Sequence, residues 1–255
     1  TAGGNNTALG SLSMLGNTTG NNNTAVGIGT LQNNTTGGNN VAVGTEALLC
    51  SIGGSSNTAI GMYALRQNTA SNNTALGFCA LRSNTTGTGN TAVGINALQC
   101  NTTGNSNTAI GRYSLTSNTA GYQNTAVGFT SLNNNTTGYN NVAVGMQSML
   151  YNTGGYANTA MGVSALRNNT TGQFNIAVGR NALRYNTIGG NNVGLGVQAL
   201  LCNTASNNTA VGFSTLRNNT TGTLNTAVGC RALVSNTVGI ANTGIGVNTL
   251  LYNIT

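Results

Sequence analysis

The chain has 255 residues and a net charge of +7, carried by eight Arg residues against one acidic residue, Glu46. Lys, Asp, His, Trp and Pro are absent, and charged residues make up 4% of the chain, where an ordinary globular domain has about 25%. With 38% hydrophobic residues, the chain also falls outside the usual disordered class, which combines low hydrophobicity with high net charge. Acid–base catalysis and metal binding need clustered titratable side chains, so the composition predicts neither an enzyme nor a cofactor or metal site.

A repeat begins near the first residues and continues to the last. A glycine that follows a small aliphatic pair recurs every 17 residues, or every 16 in two units, at Gly10, Gly27, Gly44, Gly61, Gly77, Gly94, Gly111, Gly128, Gly145, Gly162, Gly179, Gly196, Gly212, Gly229 and Gly246. Numbered from that glycine as column 1, the units follow the consensus G-x-x-A-L-x-x-N-T-T-G-x-x-N-T-A-V. Both short units lose a residue near the same Ser-Asn-Asn stretch, which predicts a loop there. The sequence therefore predicts a single array over residues 1–255, as part of a longer fibre.

The segment Asn-Thr-Ala-Val-Gly predicts a strand in every unit, because its side chains alternate between two faces. Column 15 is Thr, Val or Ile, column 17 is aliphatic, and column 5 is always Leu or Met. We expect columns 5, 15 and 17 to point inward as a thin aliphatic core. Seventeen residues suffice for two or three short strands with tight turns. The predicted fold is an all-β parallel β-solenoid, or β-roll, of fifteen 17-residue coils stacked at ~4.8 Å into a rod of roughly 70 Å.

Asparagine occupies two columns at predicted turns. It fills column 8 in every unit except the one with Ser51, and glycine at columns 1 and 11 suits tight corners. Stacked amides can bond their own backbone and their counterparts on adjacent coils, which predicts a structural ladder. The frequent Asn-x-Thr pattern also matches glycosylation acceptors, but the columns are explained without it. The predicted ladder is column 14: Asn6, Asn23, Asn40, Asn57, Asn73, Asn90, Asn107, Asn124, Asn141, Asn158, Asn175, Asn192, Asn208, Asn225 and Asn242.

Columns 4 and 16, which have small side chains, and column 2, which has large apolar ones, predict an interface between chains. Column 16 is Ala or Gly and column 4 is Ala, Ser or Thr, so these columns would allow close approach if they point outward. Large apolar side chains outside a core usually mark an interface. The alternative is that column 2 widens the core and columns 4 and 16 fill its corners. The candidate interface residues in column 2 are Ile28, Met62, Phe78, Ile95, Phe129, Met146 and Phe213.

Arginines of column 6 form pairs on adjacent coils, Arg66 with Arg82 and Arg167 with Arg184. With no acid expected nearby, each pair would form a basic ledge able to contact a polyanion, and Tyr151 and Tyr185 in column 7 would lie beside the second pair. Glu46 is expected to be a solvated carboxylate. The five cysteines lie too far apart along the stack for disulfides within the chain, and are interpreted as small hydrophobic residues.

The motif Asn-Val-Ala-Val-Gly, at Asn40 to Gly44 and again within Asn140 to Gly145, resembles the head repeats of trimeric autotransporter adhesins of the YadA type. Similar arrays are found in the shafts of phage tail fibres and trimeric bacterial fibres. The resemblance covers all fifteen units, although the 17-residue period is longer than that of the adhesin heads and the Leu of column 5 differs. It implies a left-handed, trimeric, elongated attachment structure that is extracellular, on a cell surface or a virion appendage.

These observations predict the structural shaft of an extracellular trimeric fibre or adhesin that holds a binding tip away from a surface. The expected partners are two further copies or end-to-end copies, with surface glycans or receptors bound by other domains, and neither nucleic acid nor membrane insertion is expected. Two alternatives remain open. One is an ice-binding solenoid that uses the threonine ladder of column 9, and the other is a self-assembling extracellular filament subunit.

Overall fold

A computed structural model describes residues 3–254, and regular secondary structure in this range consists of 15 three-residue β-strands. The chain forms two compact units, with the boundary between Asn124 and Thr125. The first unit contains β1 (Thr7–Leu9), β2 (Thr24–Val26), β3 (Val41–Val43), β4 (Thr58–Ile60), β5 (Thr74–Leu76), β6 (Thr91–Val93) and β7 (Thr108–Ile110). The second contains β8 (Thr125–Val127), β9 (Val142–Val144), β10 (Thr159–Met161), β11 (Ile176–Val178), β12 (Val193–Leu195), β13 (Thr209–Val211), β14 (Thr226–Val228) and β15 (Thr243–Ile245).

Within each unit, every strand pairs in parallel with the strand of the next repeat, column on column. Ala8 of β1 is paired with Ala25 of β2, and Ala160 of β10 with Ala177 of β11. One repeat is therefore one coil, and the predicted all-β parallel β-solenoid is confirmed. Each described coil contains one short strand, where two or three were predicted, because the rest of the coil is built from turns.

The strand turns the opposite face to the interior from the one predicted. Every alanine of column 16 from Ala25 to Ala227 is fully buried, whereas columns 15 and 17 are partly or largely exposed. The prediction that columns 15 and 17 point inward is therefore wrong, while the inward position of column 5 is confirmed by residues such as Leu98. The reason is the narrow space opposite the leucine: a Cβ placed on Gly194 would lie 3.4 Å from Cγ of Leu183. A methyl group fits between the two walls of the coil, and a larger side chain does not.

The leucines of column 5 have an unusual backbone. Leu98 has a φ of 51°, and Asn96 two residues earlier has a φ of 57°, both in the left-handed region. This conformation costs a non-glycine residue about 1–2 kcal/mol. In return, the N–H of Asn96 bonds the carbonyl of Phe78 on the preceding coil, and the N–H of Leu98 bonds that of Ser114 on the following coil. The turn half of each coil thus continues the coil-to-coil hydrogen bonding that the strand provides.

The short repeats keep this register because the missing residue lies in a turn. Thr58 still pairs with Thr74, so the strand is unaffected. The Nδ2 group of Asn57 donates to the carbonyl of Ala70, as that of Asn40 donates to the carbonyl of Gly54 one coil earlier. The carbonyl of Ala70 therefore takes over the acceptor role of the column 11 glycine carbonyl, and the turn that leads to it is one residue shorter. The predicted loop is confirmed, a few residues earlier than the Ser-Asn-Asn stretch.

Candidate functional site: ladders and exposed faces

The asparagines of column 14 link successive coils through the backbone. Oδ1 of Asn90 accepts a hydrogen bond from the backbone N–H of Asn107 at 2.9 Å, and its Nδ2 donates to the carbonyl of Gly104 at 2.8 Å. From Asn23 to Asn225, the side chains of this column are buried. The predicted ladder is present, but its principal bonds join side chain to backbone. Each buried amide satisfies two backbone groups that would otherwise lie unpaired inside the coil.

A direct amide-to-amide ladder is formed by column 8. Nδ2 of Asn118 donates to Oδ1 of Asn101 at 2.7 Å, and Nδ2 of Asn101 donates to Oδ1 of Asn84 at 2.7 Å. The same Nδ2 of Asn101 also donates to the carbonyl of Gly104 in its own coil at 2.9 Å. These side chains are fully buried, so each coil fixes the amide orientation of the next. The sequence indicated asparagine turns here, but only the coil geometry shows that this column carries the amide stack.

The candidate interface residues of column 2 are exposed. The seven predicted side chains, from Ile28 to Phe213, have 42% to 57% of their surface exposed. Column 17 adds exposed aliphatic residues on the outer face of the strands, such as Leu76 at 45% and Met161 at 44%. Columns 4 and 16 do not contribute, because their small side chains are buried inside the coil. The idea that these two columns let neighbouring chains approach is therefore wrong, and columns 2, 15 and 17 form what we call the outer sheet face.

The arginine pair of the first unit has an acidic partner that sequence reasoning missed. Nε of Arg66 donates to Oε2 of Glu46 at 2.6 Å, with about a third of each side chain exposed. This hydrogen bond raises the pKa of Arg66 above its ordinary value. The guanidinium carbons of Arg66 and Arg82 lie 5.9 and 5.7 Å from the ring centre of Tyr63. The expectation of no nearby acid is therefore wrong, and Glu46 is a partly exposed carboxylate that also forms an ion pair. The two residues meet only when adjacent coils are in register.

The second pair lies beside tyrosines, as predicted. The guanidinium carbon of Arg167 lies 4.9 Å from the ring centre of Tyr151, and that of Arg184 lies 5.2 Å from that of Tyr185. Such cation–π contacts fix the plane of the guanidinium group. The structure thus brings the predicted Arg and Tyr residues together in one cluster on adjacent coils.

The threonines of column 9 have hydroxyl groups already in use. Oγ1 of Thr85 donates to the carbonyl of Thr102 at 2.9 Å, and Oγ1 of Thr102 donates to that of Thr119 at 3.0 Å. Column 9 is therefore a turn ladder that holds coils together. Its hydroxyl protons are already donated to backbone carbonyls of the following coil.

The five thiols are free, and they differ in exposure. Cys79 is buried, and desolvation raises the pKa of its thiol. Cys100 is exposed. Among residues 3–254 there is no group of three or more Cys or acidic side chains able to hold a metal ion, and no pocket is present on their surface.

No helix long and apolar enough to cross a membrane occurs within the described range.

No protein-family model, curated protein or solved structure matches this chain.

Proposed function

We propose that this protein is a structural shaft segment of an extracellular trimeric fibre, in which copies pack side by side through the outer sheet face. The observation that carries the proposal is the exposed apolar surface of columns 2 and 17, which recurs coil after coil within each unit. In the first unit it includes Phe78, Ile95 and Ile110, each at least 42% exposed. Apolar surface of this extent on a soluble chain is typical of a contact with another chain.

The interior supports a mechanical role. Continuous backbone pairing, the two asparagine ladders and the leucine column are arranged so that each coil contacts only its neighbours, as in other solenoid proteins. Such an arrangement resists local opening, because one coil cannot unfold without breaking bonds to two others. The resemblance to trimeric adhesin heads favours three copies, and any receptor-binding domain would lie outside these residues.

The side-by-side contact can be tested with charged substitutions on matched faces. The double substitution Ile95→Glu and Ile110→Glu places two carboxylates on the outer sheet face, and is expected to reduce the oligomer to a single chain in sedimentation velocity. The control is Thr86→Glu with Thr103→Glu, which adds the same charge at exposed column 10 positions on the turn side. The proposal is wrong if both variants sediment alike.

Ice binding remains a second candidate at a different column. Column 15 is Thr in most coils, and the strands present it on the outer side of the sheet in exact register, as in the pairing of Thr91 with Thr108. The aliphatic residues of column 17 vary between Val, Ile, Leu and Met, which favours contact with protein over a regular lattice. Thermal hysteresis of the purified chain measures this directly, and a zero value at millimolar concentration would eliminate it.

A further inference from the structure

Both arginine pairs occupy column 6 on adjacent coils and contact tyrosine rings, but they differ in charge compensation. In the first unit, Arg66 and Arg82 share Tyr63, and Glu46 accepts the hydrogen bond of Arg66 Nε. Glu46 lies in column 3 of the coil that precedes Arg66, at a separation of 20 residues. In the first unit, a carboxylate in column 3 of the preceding coil is therefore the hydrogen-bond acceptor for an arginine in column 6.

The equivalent position in the second unit carries an amide. Twenty residues before Arg167 stands Gln147, which has the shape of glutamate without its charge. Glu46 is the only acidic side chain of the whole sequence, so the second unit contains no carboxylate side chain. Arg167 and Arg184 lie on adjacent coils, whose backbones are bonded from Asn168 N–H to the Arg184 carbonyl at 3.0 Å. The backbone positions of the two arginines therefore lie at the coil spacing of about 5 Å, and this unit has no carboxylate side chain to neutralise them.

The donors of this pair are largely unused. Nη2 of Arg167 is 3.5 Å from Oη of Tyr151, and its Nη1 is 3.5 Å from Oδ1 of Asn168, both at the outer limit of hydrogen bonding. Nε of Arg167 and Nε of Arg184 are buried without a hydrogen-bond partner, so an external anion would contact the Nη groups. The tyrosine rings hold both guanidinium groups in fixed planes, which lowers the entropy lost when an anion binds. Arginine in this state is suited to bidentate recognition of carboxylate or sulfate oxygens.

We propose that Arg167, Arg184, Tyr151 and Tyr185 form a binding ledge for an acidic polysaccharide. The anionic groups of the polysaccharide would bridge the two guanidinium groups. The Asn168 amide and the tyrosine hydroxyls would form hydrogen bonds with sugar hydroxyls. A nucleic acid fits less well, because phosphate-backbone binding gains its affinity from the number of phosphates neutralised and this ledge has two cations. Base stacking also needs open ring faces, and each of these rings already has a guanidinium group over one face.

The structure supplies a reciprocal pair of variants for the test. Gln147→Glu places a carboxylate where Glu46 stands in the first unit, and is expected to weaken binding by at least about tenfold by occupying Arg167. Arg167→Gln should weaken it similarly by removing the cation. Glu46→Gln releases Arg66 from its internal partner and leaves the first pair without a carboxylate, and is expected to raise the number of bound oligosaccharides per chain from one to two.

Binding is measured at low salt by isothermal titration calorimetry with polygalacturonate oligosaccharides, heparin oligosaccharides and single-stranded oligothymidylate as probes. Binding of either glycan supports the proposal, and the preferred one identifies the anionic group as carboxylate or sulfate. Tighter binding of oligothymidylate than of both glycans would overturn it. Unchanged glycan affinity in both Gln147→Glu and Arg167→Gln, with circular dichroism like that of the natural chain, would overturn it equally.

Discussion

Nδ2 of Asn101 donates a 2.7 Å hydrogen bond to Oδ1 of Asn84, its counterpart on the preceding coil. This bond is one step of the column 8 ladder, which is interrupted where Ser51 replaces the asparagine. At that coil, Oδ1 of Asn34 and Oγ of Ser51 are both buried without a hydrogen-bond partner. The interruption leaves polar atoms unsatisfied inside the coil, and it marks a local weakness of the first unit.

Ser51→Asn should repair the ladder. The new amide can donate to Oδ1 of Asn34 and accept from Nδ2 of Asn68, so the free energy of unfolding is expected to rise by about 1–3 kcal/mol. Urea titration followed by circular dichroism measures the change. Ser51→Ala is the control, because it removes the hydroxyl without adding an amide. Equal stability of the two variants would show that the ladder bonds contribute nothing.

Leu98→Ala should destabilise the fold strongly. Leu98 is fully buried, and large-to-small substitutions of this kind cost about 2–5 kcal/mol. Ile95→Ala, three residues earlier on the outer sheet face, is the matched control, since Ile95 is 46% exposed. Under conditions that keep the chain monomeric, its unfolding free energy should change by less than about 0.5 kcal/mol. A larger loss of unfolding free energy for Ile95→Ala than for Leu98→Ala would contradict the inward position of column 5.

Two neighbouring glycines should respond differently to alanine. A Cβ on Gly155 would overlap Oδ1 of Asn152 and lie 2.6 Å from the carbonyl oxygen of Gly172, so Gly155→Ala must displace the next coil. A Cβ on Gly154 would meet only Oγ1 of Thr137, at an ordinary 3.6 Å. The thermal midpoint should therefore fall sharply for Gly155→Ala and stay nearly constant for Gly154→Ala. Similar midpoints for both variants would contradict the close approach of coils at column 11.

The thiol of Cys79 should react slowly. Burial raises its pKa, so less thiolate is present at a given pH, and the thiolate is the reactive form. In single-cysteine variants at pH 8, Cys100 is expected to react with a disulfide reagent within seconds to minutes, and Cys79 mainly after unfolding. The rate at Cys79 should increase as the pH rises beyond the ordinary thiol range. Equal rates at the two sites in the folded chain would contradict the buried position of Cys79.

The repeat made the solenoid predictable, but it did not determine which side of the strand faces inward. Alternation along Thr91–Val93 separates Ala92 from its neighbours, and both orientations satisfy that pattern. The choice depends on the distance between the strand and the leucine of column 5, which is a property of the closed coil. Hydrophobicity alone favours column 17 for the core, although the space opposite the column 5 leucine is narrow, as Gly194 shows against Leu183.

The remaining differences have a similar origin. Positive φ values at Leu98 and its equivalents were not predictable, because leucine is disfavoured in that region and coil-to-coil hydrogen bonding overrides the local preference. The ion pair of Arg66 with Glu46 joins residues 20 positions apart, and becomes visible only when one coil is laid on the next. Columns of identical residues, such as column 14, were predictable because stacking brings each residue onto its own copy.

Whether the outer sheet face packs against other copies of the chain is tested most directly by the molar mass of the natural chain in solution. Multi-angle light scattering after size-exclusion chromatography should give about three times the 25.6 kDa of one chain, with little change on dilution. A mass of 25.6 kDa across the accessible concentration range would contradict the shaft proposal and leave the outer sheet face without the partner assigned to it.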